Sequence, residues 1–270
     1  MYTAICCTLT HMQETSLITG ASGGLGEEFA KLCAADKMNV VLVARGEEAL
    51  KTLAAELEKA HGITATVIAK DLSLPNAAAE IVETLKKKSI HIDMLINNAG
   101  FGSYGAFHKT DFAQEKMMLE VNVTALTELT KLLLPAMVAK KSGKILNVAS
   151  TAAFQPGPLM AVYYATKAYV LSFSEGIARE LKGTGVTVTC LCPGPTKTQF
   201  AKTAHMESSR LFKGSVMDAP TVALRGYSAL CAGKKLVVPG IRNRVGAFAT
   251  RFVPISFAAM VAEKVQGKKK

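Results

Sequence analysis

Residues 163–167 read YYATK, two phenols and an ammonium group within little more than one helical turn. On a helix, positions i and i+4 share a face, so Tyr163 and Lys167 point into the same space. Tyr164 is rotated by about 100° from Tyr163 and lies three residues before Lys167, so geometry alone leaves both tyrosines open. A free phenol has a pKa of about 10. A neighbouring ammonium group lowers it by roughly 1–3 units, which turns the pair into an acid–base device. The same residues are common on helix surfaces, so their chemistry depends on what the rest of the chain brings to them.

A second group is LITGASGGLGEEFA (17–30), where a strand-like run hands over to a helix-like one. Gly20, Gly24 and Gly26 permit a tight turn and close backbone approach. The helix that follows offers free N–H groups and a positive dipole end to a pyrophosphate. The next strand-like run, NVVLVAR, ends at Ala44–Arg45. Dinucleotide folds that use NAD place an acid near this point for the ribose 2′-hydroxyl. A guanidinium instead suits a 2′-phosphate, so Arg45 favours NADP over NAD.

These groups need a frame. Val/Ile/Leu-rich runs (SLITG, NVVLVAR, TATVIAKD, IDMLINNAG, GKILNVAS, VTVTCLCPG, LVVPG) alternate with helix-like segments along the chain. The runs do not alternate apolar with polar, as expected when both faces of a sheet are covered. Strand–helix alternation predicts an α/β fold with a parallel sheet and right-handed crossovers. No linker or repeat interrupts it, so one domain is expected over 15–240, with an N-terminal extension (1–14) and a basic C-terminal extension (241–270).

The 270 residues carry a formal charge of +11. From Arg225 onward ten Lys/Arg face one acid, Glu263. Such an end suits an anionic partner: a phosphate, an acidic protein or a lipid headgroup. No nucleic-acid module accompanies the charge, so nucleic acid is not expected. Six cysteines show no C-x-x-C, and five histidines fit no ligand spacing, which excludes a zinc site. The first eleven residues contain no Lys or Arg, which argues against a signal peptide and for a cytoplasmic chain with reduced thiols. No stretch reads as the ~18–20 apolar residues of a spanning helix; FVPISFAAMVA (252–262) can only pack or lie on a membrane surface.

Seven motifs occur in order: TGASGGLG (19–26), KDL (70–72), NNAG (97–100), VNV with Asn122, NVAS with Ser150, YYATK, and PGPTKT (193–198). With them, from about Thr15 to Val238, the sequence resembles the short-chain dehydrogenase/reductase family. Its C-terminal portion is similar to the subgroup of 3-oxoacyl reductases and hydroxysteroid-type dehydrogenases. The resemblance implies a Rossmann-like, doubly wound sheet of seven parallel strands and NAD(P)-dependent interconversion of alcohols and carbonyls. It implies cofactor contacts from Gly20, Ser22, Gly23, Gly24, Leu25 and Gly26, and from Asp71 and Leu72 at the adenine. Asn98, Ala99 and Gly100 would line the adenine–ribose side. Pro193, Gly194, Thr196 and Thr198 would complete the cofactor site, Thr198 at the carboxamide. The family pattern and the spacing from Ser150 select Tyr163 as proton donor to the carbonyl oxygen. Lys167 would tune Tyr163 and hold the ribose hydroxyls, Ser150 would hydrogen-bond the substrate oxygen, and Asn122 would hold a water leading to Lys167.

The segment after PGPTKT, QFAKTAHMESSRLFKGSVMDAP (199–220), is expected to form a lid. Phe101, Tyr104, Phe154, Pro156, Met160, Phe200 and Phe212 are candidate walls of an apolar pocket for a ketone, aldehyde or acyl substrate. The helices around 122–140 and 163–181 carry the faces expected to make a dimer or tetramer. The basic C-terminus could meet an acidic acyl carrier, a membrane surface or another subunit. A catalytically idle nucleotide-binding sensor on the same fold is the alternative; the intact Asn122–Ser150–Tyr163–Lys167 set argues against it.

Overall fold

The computed structural model describes residues 13–204, 206 and 216–267. Strands and helices alternate in the order β1 (Thr15–Thr19), α1 (Gly24–Ala35), β2 (Asn39–Ala44), α2 (Glu47–His61), β3 (Ala65–Ala69), α3 (Ala77–Lys87) and β4 (Met94–Asn97). Next, α4 (Phe112–Leu119) runs through a π-helical turn (Glu120–Ala125) into α5 (Leu126–Lys140). It is followed by β5 (Gly143–Val148), α6 (Ala161–Glu180) and β6 (Val186–Leu191). The remainder comprises β7 (Thr196–Lys197), α7 (Phe200–Thr203), β8 (Met217–Asp218), α8 (Ala219–Cys231), β9 (Leu236–Val237), α9 (Ile241–Ala249) and α10 (Ile255–Gln266).

Seven strands form one parallel sheet in the order β3-β2-β1-β4-β5-β6-β9, the doubly wound arrangement expected. The short β7 and β8 pair separately with each other. Side chains alternate across each strand, so the apolar runs serve two cores at once. Ile18 and Leu42 pack with Phe29, Cys33 and Leu230 under α1 and α8. Leu17, Val41 and Val43 pack with Ile81, Leu129 and Leu181 under α3, α5 and α6. Each fully buried Leu, Ile or Phe there contributes about 1.5–3 kcal/mol.

A chain of buried polar side chains crosses the second core and fixes α6 on the sheet. Asn97 Nδ2 donates to Thr130 Oγ1 (3.0 Å) and to Asn147 Oδ1 (2.9 Å). Asn147 Nδ2 donates to Ser174 Oγ (2.9 Å), about two turns beyond Lys167 on α6. Contrary to expectation, Phe112–Lys140 is one continuous helix of 29 residues, long and apolar enough by composition to cross a membrane. In the fold a third of its apolar window is buried, with Leu126, Leu129 and Met137 packed inward and Leu119 and Leu132 exposed.

Candidate active site

The strand order reverses between β1 and β4, and parallel sheets open a crevice beyond the C-terminal strand ends at such a point. Here it is a cavity of about 830 Å³. The β1–α1 turn contributes Gly20, Ser22, Gly23, Gly24 and Leu25, and the loop after β4 contributes Asn98, Ala99 and Gly100. Arg45 stands at the rim beyond β2. Ser150 enters beyond β5, Tyr163 and Lys167 from α6, and Pro193, Gly194, Thr196 and Thr198 beyond β6.

The glycine turn is clamped from behind. Thr19 Oγ1 accepts from the backbone N–H groups of Asn98 and Ala99, both at 3.0 Å. Asn98 Nδ2 donates to the carbonyls of Thr19 (2.9 Å) and Gly20 (3.3 Å). Gly20 turns through a positive φ of 67°, the left-handed region that glycine enters freely. Gly26 lies behind the turn and not in the cavity: a Cβ there would be 2.1 Å from the Gly20 carbonyl oxygen. The first turn of α1 can therefore close onto β1 only with glycine at this position. The cradle fits the phosphates of a dinucleotide, since an added Cβ on Gly23 would meet nothing within 4 Å and would point into free space.

Asp71 and Leu72 lie outside the cavity lining. Asp71 Oδ1 accepts from the Ser73 N–H (2.9 Å) and hydroxyl (2.8 Å), and Leu72 is buried in the core. The Ser73 hydrogen bonds, and more weakly the charge of Arg45, hold the Asp71 carboxyl below its ordinary range.

Ser150 ends β5, and its Oγ accepts from the Ala152 N–H (3.1 Å), which caps the 3₁₀ turn Thr151–Phe154. The same hydroxyl stands near the Tyr163 phenol and lowers its pKa. Burial outweighs that and pushes Tyr163 well above the ordinary phenol range. Lys167 is fully enclosed; burial lowers its pKa to about 8, with Cys190 and Cys192 acting weakly the other way. Its Nζ donates to the Val148 carbonyl (2.9 Å) and sits 5.8 Å from the Tyr163 ring centroid. Burial of the phenol, and not the neighbouring ammonium group, is the main influence on Tyr163.

The two tyrosines part company here. Tyr164 OH accepts from Gln266 Nε2 of α10 (2.5 Å), its pKa pushed up to about 12 by burial, whereas Tyr163 faces Ser150. Asn122 lies in the π-helical turn, outside the cavity. Its Nδ2 donates to the Phe101 carbonyl (3.0 Å) and Thr166 Oγ1 (3.1 Å), and its Oδ1 accepts from the Phe101 N–H (3.1 Å). Both ends of the amide are held by protein groups, so the Asn122 side chain clamps the loop after β4 to α6. It remains close to the site, since a Cβ on Gly100 would lie 3.0 Å from Asn122 Oδ1 and 3.3 Å from Lys167 Nζ.

Phe101, Met160 and Phe200 line the cavity as expected, with Phe200 packed 5.3 Å from Tyr163, centroid to centroid. Tyr104, Phe154 and Pro156 do not. The Tyr104 hydroxyl donates to the Gln266 carbonyl (3.3 Å), and Phe154 packs beside Leu126 and Val170. Of the expected lid, Phe200–Thr203 form α7 and Met206 is buried; His205 and residues 207–215, including Phe212, lie outside the described residues. So do residues 1–12 of the N-terminal extension and Lys268, Lys269 and Lys270. The wall that sequence reasoning missed comes from α9 and α10: Asn243, Gly246, Phe257, Val261, Val265 and Gln266 line the cavity. The available signal was the i, i+4 pair of small residues Ala258 and Ala262, which with Gln266 form the stripe α10 turns inward.

A nucleotide cradle joined to a Ser–Tyr–Lys cluster at a doubly wound sheet defines a dinucleotide-dependent oxidoreductase. Residues 14–208 match the short chain dehydrogenase family, and the chain belongs to that family, whose members act on the CH–OH/C=O pair. A short chain dehydrogenase of Pseudocercospora fijiensis is 36% identical over 189 residues, 69% of this chain and 61% of that protein's length. The ketoacyl reductase HetN of Nostoc sp. is 36% identical over 231 residues, 86% of this chain and 76% of its own. Mouse 17-beta-hydroxysteroid dehydrogenase type 3 is 30% identical over 240 residues, covering 88% and 78% of the two chains. Among solved structures, a short-chain dehydrogenase of Sphingobium yanoikuyae in complex with NADPH superposes with a TM-score of 0.80. It is 30% identical, with 88% of this chain and 93% of that one covered.

Proposed function

We propose that the chain is an NADP(H)-dependent reductase of apolar carbonyl compounds, with Tyr163 as proton donor. One observation carries the reading. Ser150, Tyr163 and Lys167 converge in the same cavity that begins at the glycine turn and Arg45. The bound dinucleotide supplies the hydride in reduction and takes it in oxidation. Burial keeps Tyr163 protonated at neutral pH, the form a donor to the carbonyl oxygen needs. The Ser150 hydroxyl hydrogen-bonds the same oxygen and favours the charge that develops on it. Lys167 stands beside the ring, placed to hold ribose hydroxyls and to return charge to the site when the alcohol is oxidised. Arg45 supports a 2′-phosphate, as does the NADPH of the Sphingobium relative.

Phe101, Met160, Phe200, Phe257 and Val261 leave a wide apolar wall facing this cluster, which suits a bulky ketone or a 3-oxoacyl group. The names of the ketoacyl reductase and hydroxysteroid dehydrogenase relatives point the same way. Exposed Leu132 on α5 and Tyr169 on α6 support a homo-oligomer through those helix faces. The test is nucleotide oxidation with NADPH and NADH across ketones, aldehydes and 3-oxoacyl thioesters. Tyr163→Phe should lower turnover by roughly 10²–10⁴-fold, the usual worth of a positioned acid, and Tyr164→Phe by far less. Retained turnover in Tyr163→Phe would overturn the assignment.

A further inference from the structure

We propose that α9 and α10 form a docking surface for an anionic lipid bilayer. Of residues 241–267, only Ala247, Ala258, Ala262 and Gln266 are buried. A surface helix of a water-soluble protein normally turns its large apolar residues inward. Here that is inverted. The segment seats itself with alanines, and Ile241, Val245, Phe248 and Phe252 form an outward stripe at helical spacing, Phe252 being 72% exposed. Ile255, also 72% exposed, and Met260 add exposed apolar side chains on α10. The Phe248 and Phe252 rings meet edge-on at 5.0 Å and make a ridge.

The charges select the occupant. Arg242, Arg244, Arg251 and Lys264 flank the ridge against the single acid Glu263. In a twofold contact with a second copy the same patch meets itself, which would bring these cations together. Near an anionic leaflet each cation is favourable by about fivefold in partitioning, and the apolar ridge has acyl chains to enter. An acidic protein would satisfy the cations but leave the aliphatic ridge in water. The patch is continuous with the cavity as well. Val253, Phe257, Val261 and Val265, on the same segment as the ridge, are exposed and line the cleft, so apolar residues of one segment serve both the docking face and the cavity. Docking itself does not depend on the reductase reading.

The test is co-sedimentation of the full chain with vesicles of phosphatidylcholine alone or mixed with phosphatidylserine, at low and high salt. Binding is expected on the mixed vesicles and should weaken in high salt. Neutralising Arg244, Arg251 and Lys264 to Gln should lower that affinity on the order of 100-fold, three fivefold factors. Phe248→Ser with Phe252→Ser, Ile255→Ser and Met260→Ser should abolish it. All seven side chains lie outside the cavity, and thermal unfolding of each variant checks that the fold is kept. Absence of wild-type binding at low salt overturns the proposal, as does binding that ignores the serine variants. It also fails if those variants dissociate a wild-type oligomer, or release an acidic carrier protein, while vesicles are not bound. Turnover of a soluble ketone, measured alongside, reads the reductase assignment separately.

Discussion

Two glycines three residues apart, Gly23 and Gly26, should respond to the same substitution in opposite ways. Gly26 lies inside α1 with an ordinary helical φ, and by helix propensity alone alanine there would be favoured by about 1 kcal/mol. Its Cβ, however, would fall 2.1 Å from the Gly20 carbonyl oxygen, 2.7 Å from the Gly20 carbonyl carbon and 2.6 Å from Asn98 Nδ2. These atoms must retreat by up to about 1 Å, which strains the turn and breaks the Asn98–Gly20 hydrogen bond. Overpacking of about 1–3 kcal/mol plus a hydrogen bond of about 1 kcal/mol exceeds the propensity gain. Gly26→Ala should therefore cost about 1–3 kcal/mol and lower Tm by roughly 2–12 °C in a chain of this size. Gly23 is extended (φ 169°), and a Cβ there meets nothing within 4 Å. Gly23→Ala should keep stability within about 0.5 kcal/mol yet weaken dinucleotide binding, because its methyl enters the cavity. Thermal unfolding without nucleotide and a fluorescence titration with NADPH separate the two effects. Equal Tm changes in both variants, or a Gly26→Ala protein as stable as wild type, would refute the reasoning.

Lys167 links stability to pH. Its pKa in the folded chain is about 8, below the ordinary lysine value of 10.5, because burial disfavours the cation. Below pH 8 both folded and unfolded chains hold the proton and the burial penalty is constant. Between about pH 8 and 10.5 the unfolded chain holds more, so stability rises with pH. Denaturant titrations should show wild type gaining up to about 3 kcal/mol on Lys167→Met across that window; a constant difference would contradict the burial argument. Arg45→Ala should weaken NADPH binding by roughly 10–100-fold and leave NADH nearly unchanged, as expected for lost charge-assisted bonds to a 2′-phosphate. Equal losses for both nucleotides would remove Arg45 from cofactor selection.

Much of this molecule is local in origin and so was legible in the chain. Unalternating apolar runs specify strands covered on both faces, and a glycine-rich turn between strand and helix can be read from its spacing alone. The i, i+4 relation of Tyr163 and Lys167 is a property of one helix. Other features depend on what distant segments bring alongside, and no local pattern encodes them. Tyr163 and Tyr164 are neighbours in sequence, yet Ser150 meets one and Gln266, a hundred residues later, meets the other. The phenol's raised pKa follows from burial among the packed sheet and helices, a property of the whole enclosure and not of its own helix. Asp71 and Asn122 carry the right side chains at the right motif positions. The partners they meet, Ser73 for Asp71 and Phe101 and Thr166 for Asn122, are supplied only once the loops close. The C-terminal wall was hidden for the same reason. A stripe of small residues says only that something approaches closely, and the tertiary structure alone decides that α10 lies against the cavity.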